Sequence, residues 1–222
     1  MADFSSTGLE PSEMYKLITG CIVPRPIAFV STRSREGVVN LAPFSFFNGI
    51  AYNPPTIGFS VIDRAGEMKD TSRNISEHPE FVVHIVSENM VEQMNATCGD
   101  YGPHVDEFGV AGLTATPGTQ VDVPRVAEAL VALECRLSQH LRLGATHPHT
   151  SFIMGEVIHW HLDDRLLNER MHINPAALDA VGRMGGTEYT RTRDRFALDR
   201  PVIAPEDPRS IPAYKSGQGK KQ

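Results

Sequence analysis

Two long runs of strand-forming residues, 129–140 and 150–162, dominate the second half of the chain, with a polar connection between them. Runs this long and this rich in Val, Ile, Leu, Phe and Thr bury their apolar side chains only by pairing. Their spacing lets them pair with each other. Shorter runs of the same character precede them at 27–32 (IAFVST), 38–41, 56–62 (TIGFSVI) and 81–87 (FVVHIVS). The turn at 34–37 (SREG) makes the first two a hairpin. Helical patterns are few and short, at 11–19, 70–78, from Ser87 onward (SENMVEQMNATC) and at 174–181. They never alternate with the strands in a regular βαβ order. The expectation is therefore a mainly β fold, a β-barrel with peripheral helices, and not a doubly wound sheet. No G-x-G-x-x-G follows a strand and no G-x-x-x-x-G-K-[ST] occurs, so nucleotide folds of the Rossmann or P-loop kind lack their signature.

The segment NLAPFSFFN, residues 40–48, fits this scheme badly. Its three phenylalanines are too apolar for a solvated loop, and Pro43 cannot donate to a ladder, which argues against a central strand. Two asparagines and a serine sit among the rings. A simple core is the plain reading of it, and an irregular pocket wall, with polar groups facing a ligand, is the alternative. A second unusual segment, KDTSRNISEHPEF at 69–81, opens a helix that Asp70 or Thr71 could cap. Lys69 precedes it, and a helix N-terminus with a cation in front is a natural anion site. Taken alone, the segment reads more simply as an ordinary capped surface helix. If 31–32, 40–48 and 69–74 converge, they offer aromatic walls, small residues and an anion hook, which suits a flat aromatic ligand with a phosphate tail.

Charge and composition narrow the function. A formal net charge of −6 argues against a broad nucleic-acid face, and no apolar run is long enough for a membrane helix. The N-terminus lacks a basic start and an apolar h-region, so a soluble cytoplasmic protein is expected. Cys21, Cys98 and Cys135 lie far apart and are expected to be buried thiols. His140, His147, His149, His159 and His161 cluster in sequence, but strand-exposed histidines beside an Asp163–Asp164 turn do not make a metal site, and none is expected. In 183–189 (RMGGTEY) the glycines permit either a tight turn or a close approach to a neighbouring subunit. Residues 1–200 read as one domain. Residues 201–222, rich in Pro, Lys and Gly, read as a tail that is poorly ordered or draped over a partner subunit.

The ordered motifs PRPIAFVST, VNLAPFSFFN, NPPTIGFS and KDTSRNISEHPEFVVHIV, with the later DEF at 106–108, IMGEV at 153–157 and RMGGTEY, resemble those of the flavin reductase-like, FMN-binding split-barrel family, which includes flavoredoxin. The resemblance spans roughly residues 12–198. It implies a split β-barrel, usually homodimeric, that binds FMN non-covalently. It places Ser31 and Thr32 along the flavin or its ribityl chain. Asn40, Ala42, Pro43, Ser45 and Phe46 would line the ring, Lys69, Asp70 and Thr71 would hold the phosphate end, and His104 would make a further contact. The implied activity is that of an NAD(P)H:flavin reductase passing electrons through FMN to an acceptor, in some members a partner monooxygenase. The alternative is a non-catalytic FMN-binding electron carrier reduced by another protein. No catalytic side chain is implied, since the chemistry belongs mainly to the cofactor.

Overall fold

The computed structural model describes residues 1–64, 66–144 and 148–203. After a first helix, α1 (Pro11–Cys21), come four strands: β1 (Ala28–Arg33), β2 (Val39–Phe44), β3 (Phe47–Tyr52) and β4 (Pro55–Ile62). Helix α2 (Asp70–Glu77) leads to β5 (Glu80–Ile85), then α3 (Val91–Ala96) and α4 (Glu107–Ala111). Two short strands follow, β6 (Ala115–Thr116) and β7 (Arg125–Val126), and then the long β8 (Val131–Leu143) and β9 (Thr150–Leu162). Helix α5 (Pro175–Leu178) and the hairpin of β10 (Val181–Arg183) and β11 (Tyr189–Arg191) complete the described elements.

Seven strands form one antiparallel sheet in the order β2-β1-β5-β8-β9-β4-β3. The two edge strands, β2 and β3, are consecutive in the chain and joined only by Ser45 and Phe46. A two-residue link cannot span a flat seven-stranded sheet, because strands lie about 4.8 Å apart. The sheet therefore has to coil until its edges meet. Near the seam Phe46 O accepts from Ser60 N at 2.8 Å, and the Phe44 and Phe59 rings lie 5.5 Å apart. This is the expected barrel with peripheral helices. Register shifts on the β8–β9 ribbon, at Glu134/Cys135 and Leu137/Gln139, supply bends of the kind a coiled sheet needs.

Period-two alternation fills both faces of the wall. Ala28 and Val30 point into the main core with Phe59, Phe81, Val83 and Ile153, whereas Phe29 and Leu41 join a second cluster with Met90, Met94 and Phe108 under α3 and α4. His84 clamps the wall. Its Nε2 accepts from Val126 N at 2.9 Å, which leaves Nδ1 to donate to Phe29 O at 2.8 Å. Burial pushes its pKa down to about 4, so the ring stays neutral at physiological pH.

Two expectations need correction. Residues 39–44 and 47–52 are strands, so NLAPFSFFN is irregular only at Ser45–Phe46. Pro43 is tolerated because β2 is an edge strand, where a missing N–H breaks no outer ladder. The thiols also differ from expectation, for Cys135 is buried while Cys21 and Cys98 are exposed. The 183–189 segment forms the tight turn between β10 and β11, with Gly186 at φ 58°. His147 and residues 204–222 of the tail lie outside the described residues.

Candidate functional site

The barrel seam opens into a cavity of about 530 Å³. One wall is β2, where Asn40, Ala42 and Phe44 share a face and Pro43 lines the rim. The floor comes from the β4–α2 connection, with Arg64, Met68 and Lys69, and from the first turn of α2. The far side is residues 97–107, including Cys98, Tyr101 and Glu107. Two smaller pockets adjoin it. One, of about 260 Å³, shares Asn40, Asp70 and Arg73 and contains His104. The other, of about 220 Å³, shares Pro43 and Cys98 and contains Ser45, Arg183 and Tyr189.

Helix α2 is held against the barrel by side-chain amides. Asn40 Nδ2 donates to Thr71 Oγ1 at 3.0 Å, and Asn74 Nδ2 donates to Thr32 Oγ1 at 3.1 Å. All four residues are buried, so the two bonds fix the helix start relative to β1 and β2. Contrary to expectation, neither Asp70 nor Thr71 caps the helix. Lys69 occupies the N-cap position with no side-chain cap bond, and Asp70 is one residue further in. The Asp70 carboxylate pairs with Arg73 on the next turn, which neutralises the charge that would otherwise repel an anion. The opening N–H groups of α2 thus have no side-chain cap.

Three cations line the cavity in unequal states. Arg64 pairs with Asp100 and Arg73 with Asp70. Among the described residues Lys69 has no carboxylate partner. Loss of solvent around its ammonium, followed by repulsion from Arg64, holds the Lys69 pKa below the ordinary lysine value. An anion placed beside it would relieve both penalties.

Glu107, on α4, has a role that sequence reading missed. Its Oε2 accepts from Leu41 N at 3.1 Å, covering a backbone donor on the outer side of the edge strand. Burial raises its pKa, and that hydrogen bond only partly offsets the effect. The signal in the sequence was the DEF motif, in which Asp106 caps α4 by accepting from Phe108 N at 3.0 Å and so aims the next residue inward. Arg64, Cys98 and Tyr101 carried no comparable signal.

Of the sequence-predicted residues, Asn40, Ala42, Pro43, Lys69, Asp70 and Thr71 converge on the main cavity. Ser45 and His104 face the two adjoining pockets. Ser31 and Thr32 are fully buried, the Ser31 hydroxyl donating to Pro124 O at 2.6 Å and that of Thr32 taken up by Asn74. Phe46 lies behind the kink, 6.5 Å from Tyr15 of α1. Among the described residues no group of three or more His, Cys, Asp and Glu is placed to hold a metal, and no helix is long and apolar enough to cross a membrane.

The cavity fits a phosphate-tailed aromatic cofactor on its own terms. Its volume lies within the roughly 300–1,000 Å³ of small-molecule sites, one wall is apolar, and an unpaired cation sits at an uncapped helix start. A family model for the flavin reductase like domain matches residues 19–183. Among solved structures, nitrilotriacetate monooxygenase component B from Bacillus cereus is 39% identical with a TM-score of 0.86, over 89% of this chain and 98% of that one. The 2-nitrobenzoate 2-nitroreductase of Pseudomonas fluorescens is 33% identical with a TM-score of 0.83, over 93% of this chain and 100% of that one. Flavoredoxin of Desulfovibrio vulgaris (Miyazaki F) is 25% identical with a TM-score of 0.68, over 88% and 97%.

Proposed function

Because this chain belongs to the flavin reductase-like family, a family of flavin-binding proteins, we propose that it is an FMN-dependent oxidoreductase that takes electrons from NAD(P)H and passes them to an acceptor. The observation that carries this reading is Lys69, a cation without a carboxylate partner among the described residues, at an uncapped helix start on the 530 Å³ cavity. Bound flavin supplies the redox chemistry itself.

The chain binds and orients. Lys69 and the first N–H groups of α2 hold the phosphate end, with Thr71 beside them. The pairing of Asp70 with Arg73 offsets the carboxylate that lies nearest the helix start. Ala42 and Phe44, on one face of β2, form a wall for the ring with Pro43 at the rim, and the Asn40 bond to Thr71 ties that wall to the helix. Ser31 and Thr32 contribute through the backbone of β1 and through the brace to Asn74, since both side chains are fully buried. Ser45 and Phe46 shape the kink beside the ring, and His104 closes the adjoining pocket. Catalysis by such a site is mainly orientation of donor against acceptor, so no acid or base side chain is assigned.

A homodimer in the cytoplasm belongs to the same proposal. Leu17, Ile18 and Ile22 on and beside α1, and separately Ile50 and Tyr52 on the edge strand β3, are exposed apolar side chains that a second copy would cover. The similarity to component B of a monooxygenase supports a partner oxygenase as the electron acceptor.

The test is the absorption spectrum of the purified protein, before and after anaerobic mixing with NADH or NADPH. Flavin absorbance that bleaches rapidly with either nucleotide is the expected result. Reduction only by an added reductase would make the protein an electron carrier instead. A colourless protein that takes up no FMN on incubation would sink both readings.

A further inference from the structure

The pocket of about 260 Å³ beside the main cavity differs in charge from the helix start it borders. It follows one side of α2. Asp70, Arg73, Asn74 and Glu77 stand at i, i+3, i+4 and i+7, so a single face of the helix lines it from the first turn to the last. Glu36, from the turn between β1 and β2, lines it as well. Both Glu36 and Glu77 are exposed, and neither has a part in the flavin contacts described above.

The charges on this pocket do not cancel. Of the residues that line it, Arg73 alone is a lysine or arginine, and it is paired with Asp70. Glu36 and Glu77 have no such partner, since among the described residues neither lies within ion-pair distance of a cation. Hydrogen bonds from its own backbone N–H and from Ser34 hold the Glu36 carboxyl below the usual carboxylate range, so it is charged at neutral pH. Glu107 adds another carboxylate, already bonded to Leu41 N. The remaining group able to carry positive charge is His104, which stands near Glu36. The pocket keeps an excess of negative charge whether or not that imidazole is protonated.

A flavin mononucleotide ends at the phosphate that Lys69 and the start of α2 would hold. A flavin dinucleotide continues from there to a second phosphate, with a further negative charge, and then to a nucleoside. Of the two adjoining pockets, this one borders the start of α2, whereas the other opens beside Pro43 and Cys98. A second phosphate entering it would meet carboxylates that no cation offsets. Unpaired like charge is a physical means of rejecting one ligand while sparing a close relative.

We propose that Glu36 and Glu77 make the site selective for the mononucleotide, by repelling the second phosphate of a flavin dinucleotide from the pocket beside α2. The assignment deepens the flavin reading and rests on it for the place of the first phosphate, because the pocket shares Asp70 and Arg73 with the main cavity.

The test is calorimetric titration of the full chain with FMN and with FAD, at low and at high salt. At low salt FMN should bind about tenfold tighter than FAD, and high salt should shrink that ratio, because exposed charges are screened. The double variant E36Q/E77Q should bind FAD about five- to tenfold tighter than wild type does, with FMN affinity within about twofold. E36D/E77D, which keeps both charges, should keep the wild-type preference. Equal affinity of the wild type for FMN and FAD at low salt would overturn the proposal, a result that needs no variant to fold. A preference that neither salt nor E36Q/E77Q reduces would make the discrimination one of shape and also overturn it. FMN uptake without discrimination removes this proposal alone, and uptake of neither flavin removes the reading on which it rests.

Discussion

Replacing Lys69 by methionine should move the stability of the protein in opposite directions with and without FMN. In the FMN-free chain the ammonium is held at a lowered pKa by loss of solvent and by Arg64. A lysine with a folded-state pKa below its unfolded value binds fewer protons folded than unfolded, so over that window its stability contribution improves as pH rises. At neutral pH the charge is therefore a cost to the free protein. Methionine keeps most of the side-chain bulk without the charge, and among the described residues no carboxylate is left unpaired by the change. The FMN-free variant should melt no lower than wild type. With FMN the sign reverses, because the variant loses a charge-assisted bond to the phosphate worth about 1.5–3 kcal/mol. That corresponds to roughly 10- to 150-fold in Kd. Arg64→Met should weaken FMN less, since that guanidinium already shares its charge with Asp100. Flavin fluorescence titration and thermal melts of both forms read all of these quantities. A Kd within twofold of wild type would remove Lys69 from the phosphate site, and a drop in melting temperature of the free form would show that the lysine is structural.

Three further outcomes follow from the same geometry. Asn40→Ala should cost about 1 kcal/mol in the free protein, by loss of its buried bond to Thr71, and should also weaken FMN binding; an unchanged melting temperature would show that this brace does not hold α2. The buried Glu134 carboxylate accepts from Thr119 N, Gln120 N and His161 Nε2, each at 2.6 Å, and although burial opposes its charge these bonds outweigh burial and hold its pKa below the usual carboxylate range. Its contribution is present above the unfolded glutamate pKa of about 4.3 and is lost as pH falls through the folded value, so Glu134→Gln should cost about 2 kcal/mol at neutral pH and progressively less in acid, as measured by urea unfolding across pH. Gly155→Ala would drive its Cβ into the rigid Phe81 ring and should cost about 1–3 kcal/mol with FMN affinity unchanged; a neutral melt would show that the barrel wall yields there.

Much of the fold was legible because strands and helices announce themselves through local periodicity. The β8–β9 ribbon, the first hairpin and α2 all lie close to where residue pattern alone puts them. Lys69, Asn40 and Pro43 were legible as pocket candidates for a similar reason, since a cation before a helix start and polar groups among phenylalanines are local anomalies. What misled was also local. A proline in an apolar run argues against a strand only when the strand is central, and whether β2 is central or at an edge is settled by sheet order, which no short window contains. The cap of α2 failed similarly. Asp70 is a good cap by residue type, but the helix begins one residue earlier and Asp70 turns to Arg73.

The sequence by itself determined which segments become strands, that a mainly β barrel would form, and which residues are chemically out of place in it. Tertiary structure decided what those residues face. The two-residue link at Ser45–Phe46 forces the sheet to coil, and that closure brings Arg64 and Glu107 to one cavity with Asn40 and Lys69. It equally decided that Ser31 and Thr32 are buried inside the wall, bonded to Pro124 O and Asn74 and not to the cavity. The physical reason is range. Hydrogen bonding and periodicity select an element from neighbours a few residues away, whereas a cavity collects residues far apart in the chain, and only the packed barrel sets those distances.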